Sequence, residues 1–265
     1  MAIYMKANFH THTFRCRHAT GEDREYVEAA ISAGLKVLGF SDHIPYWFPD
    51  GYYSTHRMRP EETEDYVRSV LDLKKEYEKD IKIHLGFEAE YHERFFDQTL
   101  EMLKDYPYEY LILGQHHNNN EMDFPKGISL VGTKQTDPSF LIQNVTETIR
   151  ALETGKFFYL AHPDLVNFVG DPAIKEREYR RVLEAAKRLS VPVELNLLGI
   201  REKRNYPQEL FWKLAGEIGN EVILGCDSHQ PHTVGMKSDI EAANAIVARY
   251  HLKKIEPMTP FYKNI

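Results

Sequence analysis

Short apolar runs alternate with amphipathic stretches along this whole chain. The runs fall at 7–10, 37–41, 81–89, 110–114, 157–161, 192–197 and 222–226, each of a length that suits a buried strand. Between them, apolar positions recur with helical spacing. Tyr179, Val182, Leu183, Ala186 and Leu189 stand at i, i+3, i+4, i+7 and i+10, one face of a helix. Ile240, Ala243, Ile246, Val247 and Tyr250 repeat that pattern near the end. Asp137-Pro138 reads as an N-cap with proline in the first turn, opening a helix that closes at Gly155. Further helices are expected near 22–33, 60–78, 93–104 and 207–218. Seven strands alternating with about seven helices predict βαβ units and a parallel α/β sheet. No Ser/Gly linker or charge run divides the chain, so one domain is expected over 1–265. Two longer irregular stretches, 44–59 and 118–136, directly follow strands. In a parallel barrel such βα-loops form the active-site face.

Composition narrows the class. The 265 residues are 42% apolar, enough for a sizeable core. Lys and Arg number 33 against 40 Asp and Glu, net −7, which argues against a general binder of nucleic acid or anionic membranes. No apolar run approaches the roughly 18 residues of a spanning helix, and the start of the chain has no signal-peptide core. Cys16 and Cys226 are the only cysteines, so a reducing, cytoplasmic setting is the simplest expectation. Thirteen histidines are many for this length.

Their placement is informative. His10 and His12 end the first run, Asp42-His43 the second, and Glu88 lies near the end of the third. His116-His117 end the fourth, His162 the fifth and Asp227-Ser228-His229 the seventh. A strand alternates its side chains, so His10 and His12 are expected to project together. A single such histidine is more often a structural residue, and Asp42 or Asp227 alone would read as a helix cap. A rim on which nearly every strand delivers an imidazole or carboxylate is not explained that way. That donor set suits Zn, Mn or Fe, with carboxylate able to bridge two ions. Seven histidines and two acids exceed the needs of one ion. His56, His84, His92, His232 and His251 fall in loops, helices or a strand start and read as ordinary.

His10-Thr11-His12, Cys16-Arg17-His18, Ser41-Asp42-His43, Gly86-Phe87-Glu88, Leu113-Gly114-Gln115-His116, Ala161-His162-Pro163 and Cys226-Asp227-Ser228-His229 occur in that order from one end of the chain to the other. In these pieces the chain resembles the polymerase and histidinol phosphatase (PHP) family of metal-dependent phosphoesterases. The resemblance implies a distorted, TIM-like (β/α)7 barrel of parallel strands with its metal site at the C-terminal rim. It also implies three divalent ions. His10, His12, Glu88 and Asp227 would hold the first; Glu88 would bridge to a second, also held by His116 and His162; His18, His43 and His229 would hold the third. The fourth motif reads Gly-Gln-His-His where the family more often shows Gly-Ser-Val-His, so alignment on Gly114 favours His117 and the strand core favours His116. The segments 161–166 and 196–201 look like the stand-alone histidinol phosphatase branch, except that Leu197-Leu198 stand where Thr-Ser is common.

Such a centre suits hydrolysis of a small phosphate monoester. Two close cations activate a bridging hydroxide for in-line attack and neutralise charge on the phosphoryl oxygens. No Gly-x-Ser-x-Gly elbow or Walker loop competes for the chemistry. Arg201 is the favoured phosphate clamp, with Arg15, Arg17, Arg57 and Arg59 behind it. Asp227 or a metal-held water would protonate the leaving alkoxide. Asp50, Glu90 or Asp164 are candidates to receive a substrate amine, and Tyr46, Trp47 or Phe168 to pack on an imidazole. L-histidinol phosphate is the expected substrate. The alternatives are nucleotide bisphosphates or short oligonucleotides, or a barrel that binds metal without catalysis. Oligomeric state is not legible.

Overall fold

The computed structural model describes residues 5–122 and 131–260. The middle of the irregular stretch 118–136, and the Asp50 side chain, lie outside the described residues. The elements run β1 (Ala7–Asn8), α1 (Asp23–Ser32), β2 (Val37–His43), α2 (Thr63–Glu76), β3 (Lys82–Ala89), α3 (Phe96–Leu103), β4 (Tyr110–Leu113) and α4 (Pro138–Glu153). They continue with β5 (Tyr159–Leu160), α5 (Pro172–Arg188), β6 (Val193–Asn196), α6 (Leu197–Arg201), α7 (Glu209–Ile218), β7 (Glu221–Gly225), α8 (Lys237–Arg249) and β8 (Lys253–Lys254). All strand pairs are parallel and follow chain order from β1 to β8. The seven expected strands are all present. The eighth is a two-residue lysine strip against the start of β7, too short and polar to register as an apolar run.

Local chemistry explains the helix starts. Asp137 accepts from the Ser139 N–H and Asp171 from the Ala173 N–H, each with proline following. Asn196 caps the five-residue α6 through the Gly199 N–H. The sheet curls because each strand is twisted against the next, and helices cover its outer face with an extended apolar core.

A second apolar cluster includes Phe9, Tyr110, Ile112, Phe158 and Ile223. Phe9 meets Tyr110 and Phe158 edge-to-face at 5.5 and 5.1 Å. The Tyr110 hydroxyl reaches the Phe9 and Phe40 carbonyls at 3.0 and 2.9 Å, tying β4 to the first two strands.

The first strand also meets the seventh. Beyond Asn8 the backbone leaves regular strand geometry, yet Thr11 forms a parallel bridge with Ser228. His12 N–H donates to the Ser228 carbonyl at 3.0 Å and Ser228 N–H to the His10 carbonyl at 3.3 Å. Below this bridge the Asn8 side-chain oxygen accepts the Cys226 N–H at 2.9 Å, supplying what a ladder bond would. The β1–β7 seam thus closes at the C-terminal ends of the strands, where the histidines gather.

Candidate metal centre and active site

The seam fixes the two leading histidines. Thr11 is held from both sides, by Ser228 and by Ser41, whose N–H reaches the Thr11 carbonyl at 2.9 Å. His10 and His12 flank it and turn to one mouth, with ring centroids 5.2 Å apart. Both are fully buried. Each is gripped by its Nδ1: His10 meets Glu194 Oε1 at 2.8 Å, and His12 meets Asp42 Oδ1 at 3.4 Å. An ionised carboxylate only accepts, so the ring proton sits on Nδ1 and the Nε2 lone pair is free. This is the usual support of a metal-binding imidazole.

The free Nε2 atoms converge on two carboxylates. His10 Nε2 lies 3.6 Å from both Glu88 Oε2 and Asp227 Oδ1, and His12 Nε2 lies 3.4 and 3.3 Å from the same atoms. Donor atoms about 2.1 Å from a shared tetrahedral ion stand about 3.4 Å apart. The spacing therefore fits a cation at their centre. Hydrogen bonding agrees, because His10 Nε2, His12 Nε2, Glu88 Oε2 and Asp227 Oδ1 are all buried without a hydrogen-bond partner. Burial alone would raise the Glu88 and Asp227 pKa values, but the surrounding histidines hold both well below the carboxylate range. Both are thus ionised and ready to ligate.

The other oxygen of Glu88 faces a different pair. His162 Nε2 lies 2.7 Å from Glu88 Oε1, and His116 Nε2 lies 3.7 Å from it. The rings of His116 and His162 are 4.7 Å apart. The neighbouring His117 is carried elsewhere: its Nδ1 lies 3.1 Å from Glu90 Oε2, and its ring stacks on His56. His18, His43 and His229 gather above His12, each offering a nitrogen within one 4.8 Å group. His18 donates through Nδ1 to the Cys16 carbonyl at 2.7 Å, again leaving Nε2 free.

Two glycines leave room for the carboxylates. A Cβ on Gly114 would fall on the Glu88 carboxylate, and a Cβ on Gly225 on that of Glu194. His162 and Asp227 have φ of 28° and 46°, strained values for residues with a side chain. Such strain is concentrated where function requires a fixed direction. All of these donors except His18, which follows a short turn at 14–16, thus lie on a strand end or in the first loop residues beyond it, and together they can hold divalent cations.

The centre opens into a cavity of about 460 Å³. Arg201 lines it from the last turn of α6, with Nη1 on Asp239 at 2.8 Å. Arg204, missed from sequence, lines it too and pairs with Glu202 at 2.7 Å. The remaining arginines divide. Arg57 lines the cavity but is bound to Glu90 and Glu121 at 2.7 and 3.1 Å. Arg15 is buried against Asp23 and Asp65, and Arg17 pairs with Glu62. Arg59 stacks on Tyr53. Asp164 and Phe168 are buried outside the cavity lining, and Asp164 receives the Trp212 indole N–H at 3.0 Å. Tyr46 and Trp47 do not line the cavity either, whereas His56, which reads as ordinary in sequence, does. Glu194 was also missed; its signal was an acid inside the apolar run 192–197.

The PHP domain model matches residues 8–197. A probable histidinol-phosphatase of Deinococcus radiodurans is 27% identical over 259 residues, covering 94% of this chain and 97% of its own. A probable histidinol-phosphatase of Schizosaccharomyces pombe is 27% identical, covering 88% and 83%. The crystal structure of histidinol phosphate phosphatase from Lactococcus lactis, complexed with zinc, L-histidinol and phosphate, has the same fold. Its TM-score is 0.72 at 17% identity, with 94% of this chain and 95% of that one covered. With the matched segment spanning β1 to β6 and its His10, His12, His18, His43, His116 and His162 in one mouth, the chain belongs to the PHP domain family.

Proposed function

We propose that this chain is a metal-dependent phosphomonoesterase that hydrolyses L-histidinol phosphate to L-histidinol and phosphate. The observation that carries it is the convergence of His10, His12, Glu88 and Asp227, with partnerless donor atoms at ligand spacing, beneath a cavity sized for a small ester. The likeness over most of the chain to probable histidinol-phosphatases of two organisms supports the substrate. The fold neighbour determined with zinc, L-histidinol and phosphate supports both metal and substrate class.

Three ions, of Zn, Mn or Fe, would be held by the three donor groups, with Glu88 serving two of them. When bound, such ions supply an activated water and neutralise charge building on the phosphoryl group. The chain does the rest. Glu194 and Asp42 hold the imidazoles in their ligating tautomer. Arg201 and Arg204 line the cavity as fixed guanidinium donors for phosphoryl oxygens. Leu198 puts an apolar contact in the same wall. Asp227, at the floor and ionised, would take a proton from the attacking water and return it to the departing alkoxide.

The test is phosphate release from L-histidinol phosphate against a panel of small monoesters, nucleotide bisphosphates and short oligonucleotides. The expected result is a preference for histidinol phosphate, lost at least 1000-fold in His10→Ala and His12→Ala variants that remain folded, on the scale at which a metal-activated nucleophile acts. Preference for a nucleotide substrate, or undiminished activity in those variants, overturns the reading.

A further inference from the structure

Tyr206 holds a place in the cavity wall that the donor centre does not account for. Its side chain is 2% exposed, yet it lines the cavity together with Arg204, His162 and Asp227. Its ring lies against α6 where Gly199 has no side chain: a Cβ there would fall 2.3 Å from the ring and 2.6 Å from the Tyr206 carbonyl oxygen. The Gly199 N–H donates to the Asn196 side-chain oxygen at 3.1 Å, and the Asn196 amide donates to Asp227 Oδ2 at 3.0 Å. The ring is thus seated on the same short stretch of chain that holds the floor carboxylate. Its centroid stands 6.3 Å from that of His162.

The hydroxyl is only half used. Its oxygen accepts an N–H from Arg204 Nη1 at 3.4 Å, the one hydrogen bond it makes among the described residues. A phenol, with an ordinary pKa of about 10, keeps its proton at neutral pH, so one O–H is left without an acceptor in the chain. Arg204 meanwhile turns Nε and Nη2 to Glu202, at 2.8 and 2.7 Å. Its remaining nitrogen, set on the phenol oxygen, polarises the O–H and makes it a stronger donor. Phenylalanine would fill the same seat. What tyrosine adds is that proton, beside a guanidinium that also lines the cavity.

We propose that Tyr206 is a further catalytic residue, whose hydroxyl donates a hydrogen bond to a non-bridging phosphoryl oxygen of the ester. This rests on the phosphomonoesterase reading above and adds a neutral donor to the two guanidinium groups. Arg204 and Tyr206 address one group together, while the leaving oxygen stays with Asp227. No proton is transferred in this contact. The hydrogen bond strengthens as negative charge gathers on the phosphoryl oxygens, which is how a fixed donor accelerates the step.

The test compares Tyr206→Phe with wild type, both metal-loaded, on L-histidinol phosphate and on p-nitrophenyl phosphate. Inorganic phosphate serves as a competitive inhibitor, and bound metal is measured by elemental analysis. Loss of a hydrogen bond to a charged acceptor should lower kcat/KM about 10- to 100-fold, by the same factor for both esters, and raise the inhibition constant of phosphate by about fivefold or more. Metal per chain and melting temperature should match wild type. A variant as active as wild type overturns the inference. So does a loss confined to histidinol phosphate, which would place the hydroxyl on the poorer leaving group's oxygen. A loss of metal or of fold alongside activity makes the residue structural and overturns it as well. Each of these outcomes leaves the phosphatase reading intact. Absence of any monoester hydrolysis by the metal-loaded wild type sinks that reading, and this inference with it.

Discussion

His10 Nδ1 meets Glu194 Oε1 at 2.8 Å inside the barrel, with neither side chain exposed to solvent. The second Glu194 oxygen accepts the His162 backbone N–H and the Asn196 amide, both at 2.9 Å. One carboxylate therefore orients a residue of the first donor group and the backbone of a residue of the second. Glu194→Gln should weaken zinc binding or hydrolysis by about 10- to 100-fold, with little change in the far-ultraviolet circular dichroism. Competition with a zinc-sensitive chelating dye measures the affinity. An unaltered affinity and rate would show that the contact is ornamental.

Gly114 is expected to be intolerant of even one methyl group. Its Cβ would occupy the Glu88 carboxylate position, so Gly114→Ala must push aside the group shared by two donor sets. Activity should fall by at least 100-fold, since small misplacements near the chemistry cost that much. Gly132→Ala is the control, because nothing lies within 4 Å of a Cβ there. Equal activity of the two variants contradicts the close fit seen around Glu88.

The two adjacent histidines after β4 should separate cleanly in mutagenesis. His116 faces Glu88 and His162, whereas His117 leans on Glu90 and stacks with His56. His116→Ala should reduce hydrolysis of a simple aryl phosphate by 100-fold or more and lower the bound metal per chain. His117→Ala should keep that activity within about threefold. Elemental analysis beside the rate assay decides it, and the reverse ranking would transfer the ligand role to His117.

Acid sensitivity is predicted at the other end of the barrel. Burial alone would raise the Glu109 pKa, but hydrogen bonds from His84 and Lys74, both at 2.6 Å, bring it down to about 2 from an ordinary 4.5. A carboxylate whose pKa is lower folded than unfolded adds stability above the unfolded value, and loses it as pH falls towards the folded one. Glu109→Gln should cost about 1–2 kcal/mol at pH 7, allowing for solvent screening of a partly exposed group. The deficit relative to wild type should shrink at pH 3.5. Urea unfolding at the two pH values measures both, and a deficit independent of pH removes ionisation as its source.

Much of the centre was legible because strand ends in a parallel sheet are addressable positions. A histidine that ends an apolar run must emerge at the rim, so His10, His43, His116 and His162 announce themselves without coordinates. What stayed hidden depended on partners distant in sequence. Arg15 reads as a rim arginine until Asp23 and Asp65 close on it from two helices. Glu194 lies in the middle of an apolar run, and only the fold shows His10 across the barrel from it. His56 reads as an ordinary loop histidine because no periodicity fixes where a loop side chain goes. The different directions of His116 and His117 turn on one peptide unit beyond β4, a scale at which pattern is silent.

The Thr11–Ser228 bridge gives the centre a mechanical meaning. Asn8 and Cys226, joined beneath it, are separated by 218 residues of chain. His10 and His12 stand on one side of that seam and Asp227 on the other. An ion held among them would act as a clasp, fastening the two ends of the chain where the curled sheet meets itself. Closing so long a loop is entropically unfavourable, and an ion held across the seam would offset that cost. Removing the ions should therefore open the barrel along this seam before any other part of the sheet yields.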